Sequence, residues 1–170
     1  MSKLYHYVGP EEIRTKVAPL KTGRTILSLD DLKSWLKKQE AANETIVATF
    51  VLDDKLELRL ADRHSEHVAC AEGRPVYSAG EIFFSCDSQF PEILEISNQS
   101  TGYCPDVTSW ETLQGVLDSL GISHPGKFTL EVTFRLCPAC GERNIVKDKW
   151  FFCALCNASL PLEWNFGGIS

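Results

Sequence analysis

Two Cys-x-x-Cys pairs, Cys137 with Cys140 and Cys153 with Cys156, stand twelve residues apart near the C-terminal end of the chain. No other feature limits the fold as tightly. Each pair can bend the backbone into a turn that aims both sulfurs at one point. Two such turns supply four soft ligands in a tetrahedron, the coordination that zinc prefers. Pro138 and Gly141 favour the turn in the first pair, and Gly141 tolerates positive φ; Asn157, the next most permissive residue, holds the same place in the second. The intervening "NIVKDKWFF" has hairpin length, with a turn near Lys147 and Asp148. The spacing therefore predicts a zinc ribbon over residues 137–162, with one Zn2+ on Cys137, Cys140, Cys153 and Cys156. Four thiolates leave no position open for water, so the expected metal is structural, not catalytic.

The chain has seven cysteines, an odd number that suits thiols and metal ligands better than a disulfide framework. No long apolar run follows the first lysine, and none elsewhere approaches the ~18 residues that span a bilayer. The expectation is a cytoplasmic protein with no membrane partner. The formal net charge of -6 argues against a whole-molecule nucleic-acid binder. A length of 170 residues suits a domain over 1–136, the ribbon packed on it, and a C-terminal tail over 163–170.

The pattern ahead of the ribbon predicts an α+β fold, with a mainly antiparallel sheet and two helices. "KLYHYV" reads as a short strand that Gly9 and Pro10 break. "SLDDLKSWLKKQ" reads as a helix capped by Ser28, with Asp31 three positions on and Leu32, Trp35 and Leu36 on one face. "TIVATFVL" and "LELRLA" form a predicted hairpin across "DDK". "PVYSAGEIFFSC" is a strand with Ile82, Phe84 and Cys86 on one face, and "EILEIS" is expected to pair with it. The second helix lies in "PDVTSWETLQGVLDSLG", with Thr108 and Glu111 as a capping box and Gly121 as its stop. "FTLEVTFRL" alternates like a strand with one buried face, and "LPLEWNF" reads as a last short strand.

Three near-matches to known motifs fail on context. Gly121, Gly126 and Lys127 fit a phosphate loop, but a helix precedes, a strand follows, and Phe128 replaces the needed hydroxyl. His64 and Glu66 with the first cysteine pair imitate a zinc deaminase, yet Pro138 sits inside that pair and Cys153 and Cys156 would have no role. His64, His67 and Cys70 would face one ion only on a helix, and the segment lacks helical periodicity. Within the ribbon, Arg143, Lys147 and Lys149 with Trp150, Phe151 and Phe152 have the makings of a nucleic-acid face. Glu142 and Asp148 dilute that charge, and the aromatics are expected to pack the ribbon against the main domain instead.

Two loops are richer in reactive side chains than a scaffold requires. They bring His64, Ser65 and His67 in one, and Ser100, Thr101, Tyr103 and Cys104 in the other. A hydroxyl or thiol beside an imidazole can serve nucleophilic catalysis, which would make the chain a hydrolase or transferase. The plainer reading is that these residues form turns and satisfy loop backbone. The favoured expectation is a zinc-binding module that recognises a protein or small-molecule ligand, with catalysis or nucleic-acid binding through the ribbon as alternatives.

Nearly the whole chain resembles a bacterial family to which no activity attaches. The resemblance is carried by "YVGPEEI", "RHSEHVACAEGRPVYSAGEI", "SNQSTGYCP", "HPGKF" and the ribbon followed by "LPLEWNF". Residues 64–121 are also distantly similar to a module of plant IQ-motif calmodulin-binding proteins and some bacterial effectors. The similarity rests on His64-Ser65, on Gly73 with Ala79-Gly80, and on the loop from Ser100 to Pro105, which departs from the module around Thr101 to Cys104. No basic IQ helix is visible, so calmodulin binding is not implied. The resemblance implies that the two reactive loops belong together and line one pocket.

Overall fold

The computed structural model describes residues 2–39, 45–85 and 89–167. In chain order the elements are α1 (Glu11–Val17), β1 (Arg24–Ile26), α2 (Leu29–Lys38), β2 (Thr45–Asp53), β3 (Leu58–Asp62) and α3 (His67–Cys70). There follow β4 (Val76–Ser85), β5 (Ile93–Ile96), α4 (Trp110–Leu120), β6 (Thr133–Leu136) and β7 (Arg143–Val146). Five strands form one sheet in the order β1-β3-β2-β4-β5, every neighbouring pair antiparallel, and β6 with β7 forms a separate two-stranded ladder. The expected α+β class with an antiparallel sheet is what the chain adopts. No helix among the described residues is long and apolar enough to cross a membrane.

The two longer helices follow their sequence signals. Ser28 accepts the amide of Asp31 at 3.1 Å, satisfying an orphan donor of the first turn, and the Asp31 carboxylate accepts the amide of Leu27, just ahead of the cap, at 2.9 Å. The start of α4 differs from expectation. Asp106, not Thr108, makes the cap: its carboxylate accepts the Val107 amide at 2.8 Å and the Thr108 hydroxyl at 3.0 Å. Thr108 is thereby occupied, and a single 3-10 turn over Val107–Ser109 leads into the helix. Gly121 ends it at φ 75, a conformation costly for a residue with Cβ.

Both faces of the sheet are covered. On one, Leu32, Trp35 and Leu36 of α2 and Trp110, Leu113 and Leu117 of α4 pack on Phe50, Leu52, Leu60 and Ile82. On the other, Tyr5, Val68, Cys70 and Tyr103 pack on Val51, Ala61 and Ala79. The continuous burial of β2 from Ala48 to Asp53 is explained by this double cover. The turn between β2 and β3 hangs on Asp53, which accepts the amides of Lys55 and Glu57 and faces Arg74 at 3.4 Å.

Other expectations need correction. "KLYHYV" forms no strand; Tyr5 alone bridges to Val76, and the segment leads into α1 with Pro10 at its N-cap. Of the predicted strand over 128–136, only β6 pairs as a strand. Residues 128–132 run beside the end of β5, with a single parallel bridge of Leu130 to Ser97, held by the Thr129 amide on the Ile96 carbonyl at 2.9 Å and by Asn98. "LPLEWNF" forms no strand either. Arg135 donates to the Pro161 carbonyl at 3.0 Å, and Asn165 bonds both backbone groups of Leu136, at 2.9 and 2.7 Å. Trp164 then meets Tyr5 edge-on at 5.2 Å and donates to the Cys104 carbonyl at 2.7 Å. The segment straps the base of the ribbon to the body. Cys86, expected beside Ile82 and Phe84, and residues 168–170 lie outside the described residues.

Candidate metal centre and the two reactive loops

The four cysteines sit on two turns of the same build. In the first, the Cys137 amide donates to Glu142 at 2.8 Å, the Gly141 amide returns to Cys137 at 2.9 Å, and Gly141 takes φ 80. In the second, the Cys153 amide donates to Ala158 at 2.8 Å, the Asn157 amide returns to Cys153 at 2.9 Å, and Asn157 takes φ 63. The β6–β7 ladder carries the first turn, and a bridge between Phe152 and Ser159 carries the second. "NIVKDKWFF" is therefore not one hairpin. β7 pairs back with β6, and a turn with Asp148 and Lys149 at φ 54 and 57 delivers the chain to the second cysteine pair.

The four sulfurs all lie within 4.8 Å of one another. Cys137 Sγ is 3.6 Å from Cys156 Sγ, and Cys140 Sγ is 3.6 Å from Cys153 Sγ. A disulfide requires about 2.05 Å, so these are not disulfides. A tetrahedron with metal–sulfur bonds of about 2.3 Å has edges of about 3.8 Å, close to what the thiols already hold. Cys137 and Cys153 are buried, whereas Cys140 and Cys156 face solvent. Backbone N–H groups point at the inner sulfurs: Cys140 donates to Cys137 Sγ and Leu155 to Cys153 Sγ, each at 3.4 Å. Such bonds favour the thiolate. The Cys140 amide holds the Cys137 thiol below its ordinary value, and the Cys156 amide leads in bringing Cys153 down to about 6. Against the Glu142 and Ala158 amides, desolvation and crowding by these neighbouring sulfurs leave Cys140 up at about 12 and Cys156 also raised. The donor set can hold one thiophilic metal ion.

The aromatics of the ribbon do not all pack inward. Phe151 is half-buried under the Arg135 guanidinium, 5.6 Å from its ring centre. Its neighbours point the other way, as alternation along an extended segment requires. Trp150 is 65% exposed, Phe152 39%, Leu155 70% and Ile145 41%. Trp150 and Phe152 meet with ring centres 4.8 Å apart, and with Ile145, Lys147, Leu155 and Asn157 they line a groove of about 440 Å³. Arg143 turns away from it and donates to the Thr101 carbonyl of the body.

The 98–105 loop meets α3 through packing, Tyr103 sharing a buried cluster with Val68 and Cys70. The Tyr103 hydroxyl, its ring fully buried, donates to the Arg74 carbonyl at 2.7 Å just beyond α3. The candidate nucleophiles and bases are otherwise engaged. His67 places Nε2 2.8 Å from the Gly80 carbonyl, and burial lowers its basicity. That geometry puts the proton on Nε2. His64 is exposed, its amide on Asp62 at 2.8 Å. The Ser65 hydroxyl shares a 2.5 Å bond with Thr22. Ser100 Oγ accepts the Tyr103 amide at 3.3 Å inside a turn, and Thr101 is exposed. The buried Cys104 thiol donates to the Thr101 carbonyl at 3.4 Å, with burial pushing it up to about 12. Cys70, on α3, donates to the Arg59 carbonyl at 3.7 Å and is likewise pushed up to about 12 by burial. The structure joins none of these thiols or hydroxyls to His64 or His67.

Alkylation requires thiolate, so Cys70 and Cys104 are expected to resist iodoacetamide at pH 8 in the folded protein and to react fully in denaturant. Peptide mass spectrometry checks this; rapid labelling of Cys104 in the folded chain would contradict the burial described.

No family model, curated protein or solved structure matches the chain, and the candidate metal centre rests on the geometry of the four cysteines alone.

Proposed function

We propose that the chain is a zinc-binding recognition module of the reducing cytoplasm. Cys137, Cys140, Cys153 and Cys156 hold one structural Zn2+, and the ribbon so folded presents an apolar face to a segment of a partner protein. Zinc suits an all-thiolate tetrahedron, and four chain ligands leave no position for a reacting water. The observation that carries the recognition part is the contiguous exposure of Ile145, Trp150, Phe152 and Leu155 on the metal-bearing segment. Clustered exposed apolar side chains mark contact surfaces, and aromatic residues are enriched where interfaces bury their core.

Charge argues for a protein and against nucleic acid. Four thiolates around Zn2+ leave a net charge of about -2 beside the groove, on a chain already at -6. Arg143 is committed to the Thr101 carbonyl. A polyanion gains little here.

A peptide-display selection on the zinc-loaded full chain tests this reading. Enrichment of peptides with aromatic or aliphatic anchors is expected, lost in the double variant Trp150→Ser with Leu155→Ser. Binding that survives in the double variant, or preferential binding of single-stranded oligonucleotides at low salt, would overturn it.

A further inference from the structure

We infer that Asn144 is a positioning residue of the metal centre, the side chain that joins its two halves and donates a hydrogen bond to a ligand sulfur. The inference rests on the zinc reading above. No motif singles out this residue, yet its geometry is specific. Asn144 belongs to β7, the strand leaving the first cysteine turn, and is only 5% exposed. Its Nδ2 donates to the Glu142 carbonyl of its own turn at 3.1 Å and to Cys153 Sγ of the other turn at 3.4 Å. Its Oδ1 accepts the Ala154 amide, also of the other turn, at 2.9 Å. Both donors and the acceptor of the carboxamide are used.

The amide orientation is fixed by these partners. Exchanging oxygen and nitrogen would set a carbonyl against a thiolate and an N–H against an N–H. The residue is therefore not interchangeable with a polar side chain of similar size. The substitution Asn144→Asp would keep the bond from Ala154 and turn a carboxylate oxygen towards Cys153.

The effect on the metal follows from charge. Four thiolates gathered within a few ångströms repel, and N–H donors aimed at sulfur offset that repulsion. Cys137 receives such a bond from the Cys140 amide. Cys153 receives two at 3.4 Å, from the Leu155 amide and from Asn144. The backbone donors come from each turn's own loop. Asn144 alone among these three donors reaches from one turn to the other, so it sets the position of Cys153 relative to the first pair. Partners of this kind around a metal typically change affinity by about 10–100-fold.

The test uses the full chain loaded with 113Cd and labelled with 15N. Through-bond coupling from cadmium to the Asn144 side-chain amide protons is expected, beside coupling to the Cys140 and Leu155 backbone amides. Coupling to the two backbone amides with none to Asn144 would overturn the inference. In parallel, zinc competition against a chromophoric chelator is expected to show about 10–100-fold weaker binding in Asn144→Ala, and at least as large a loss in Asn144→Asp. Unchanged affinity in both variants would also overturn it. A wild-type chain that takes up no cadmium and no zinc would instead defeat the metal reading on which the inference stands.

Discussion

Stripping the metal is expected to melt the ribbon while the five-stranded sheet stays folded. The reason is the size of the ribbon's own core. Its buried members are Leu160 and two of the ligands, Cys137 and Cys153, with Val146, Phe151 and Ala158 only partly covered. A fully buried leucine contributes roughly 1.5–3 kcal/mol, whereas ordering each residue costs about 1–2 kcal/mol. A structural zinc ion supplies about 10–16 kcal/mol, enough to decide the matter. Hydrogen exchange read by NMR, before and after exhaustive chelation, checks the prediction. Amides of Cys137, Gly141, Cys153 and Asn157 are expected to lose protection, and those of β2 and β4 to keep it. Equal protection of the ribbon in protein shown to be metal-free would contradict it.

The second large effect is expected at Asn98. This side chain is fully buried and holds three backbone groups: it donates to the Pro105 carbonyl at 3.0 Å and the Val132 carbonyl at 2.8 Å, and accepts the Val132 amide at 2.7 Å. It thus ties the loop over 98–105 to the segment that leads into β6. Asn98→Ala would strand all three groups away from water, at about 1–3 kcal/mol each in the worst case. A loss of about 4 kcal/mol is expected, with a fall in Tm of about 10 °C. Chemical denaturation of the zinc-loaded protein measures it, and a loss below about 1 kcal/mol would show that Asn98 does not carry the load assigned to it.

What could be read from the sequence was what local chemistry decides. The cysteine spacing predicts two tight turns, and each one closes through backbone bonds no more than five residues apart. Ser28 with Asp31, and Gly121 after an apolar stripe, mark helix ends through bonds made within one turn. The β2–β3 and β4–β5 pairings follow from alternation and short connections. What could not be read depends on partners distant in the chain. α1 fully buries none of its own residues, and α3 is four residues long, too short for periodicity to register. The 160–166 segment looks like a strand, but Arg135 and Asn165 capture it as a strap.

The reactive loops show the same limit. Ser65 and Tyr103 advertise chemistry by type, but their partners are set by tertiary contacts, whereas Cys104 donates to the Thr101 carbonyl of its own loop and is silenced by burial. Tyr103 spends its hydroxyl on a carbonyl 29 positions away. Trp150 and Phe152 were expected inside because large aromatics usually are. Alternation against Phe151 turns them outward, and only the pairing of β7 with β6 reveals which face that is. Asn144 is silent in sequence for a related reason: two of its three partners lie on the second cysteine turn, out of reach of any local pattern.

The central claim is that four thiolates of this chain enclose one zinc ion with no open position. X-ray absorption at the zinc edge of the purified protein addresses it most directly. The account predicts one zinc per chain with four sulfur neighbours at about 2.3 Å and no oxygen or nitrogen in the first sphere. A sphere with fewer than four sulfurs, a light-atom ligand in place of one, or protein that carries no metal would contradict it.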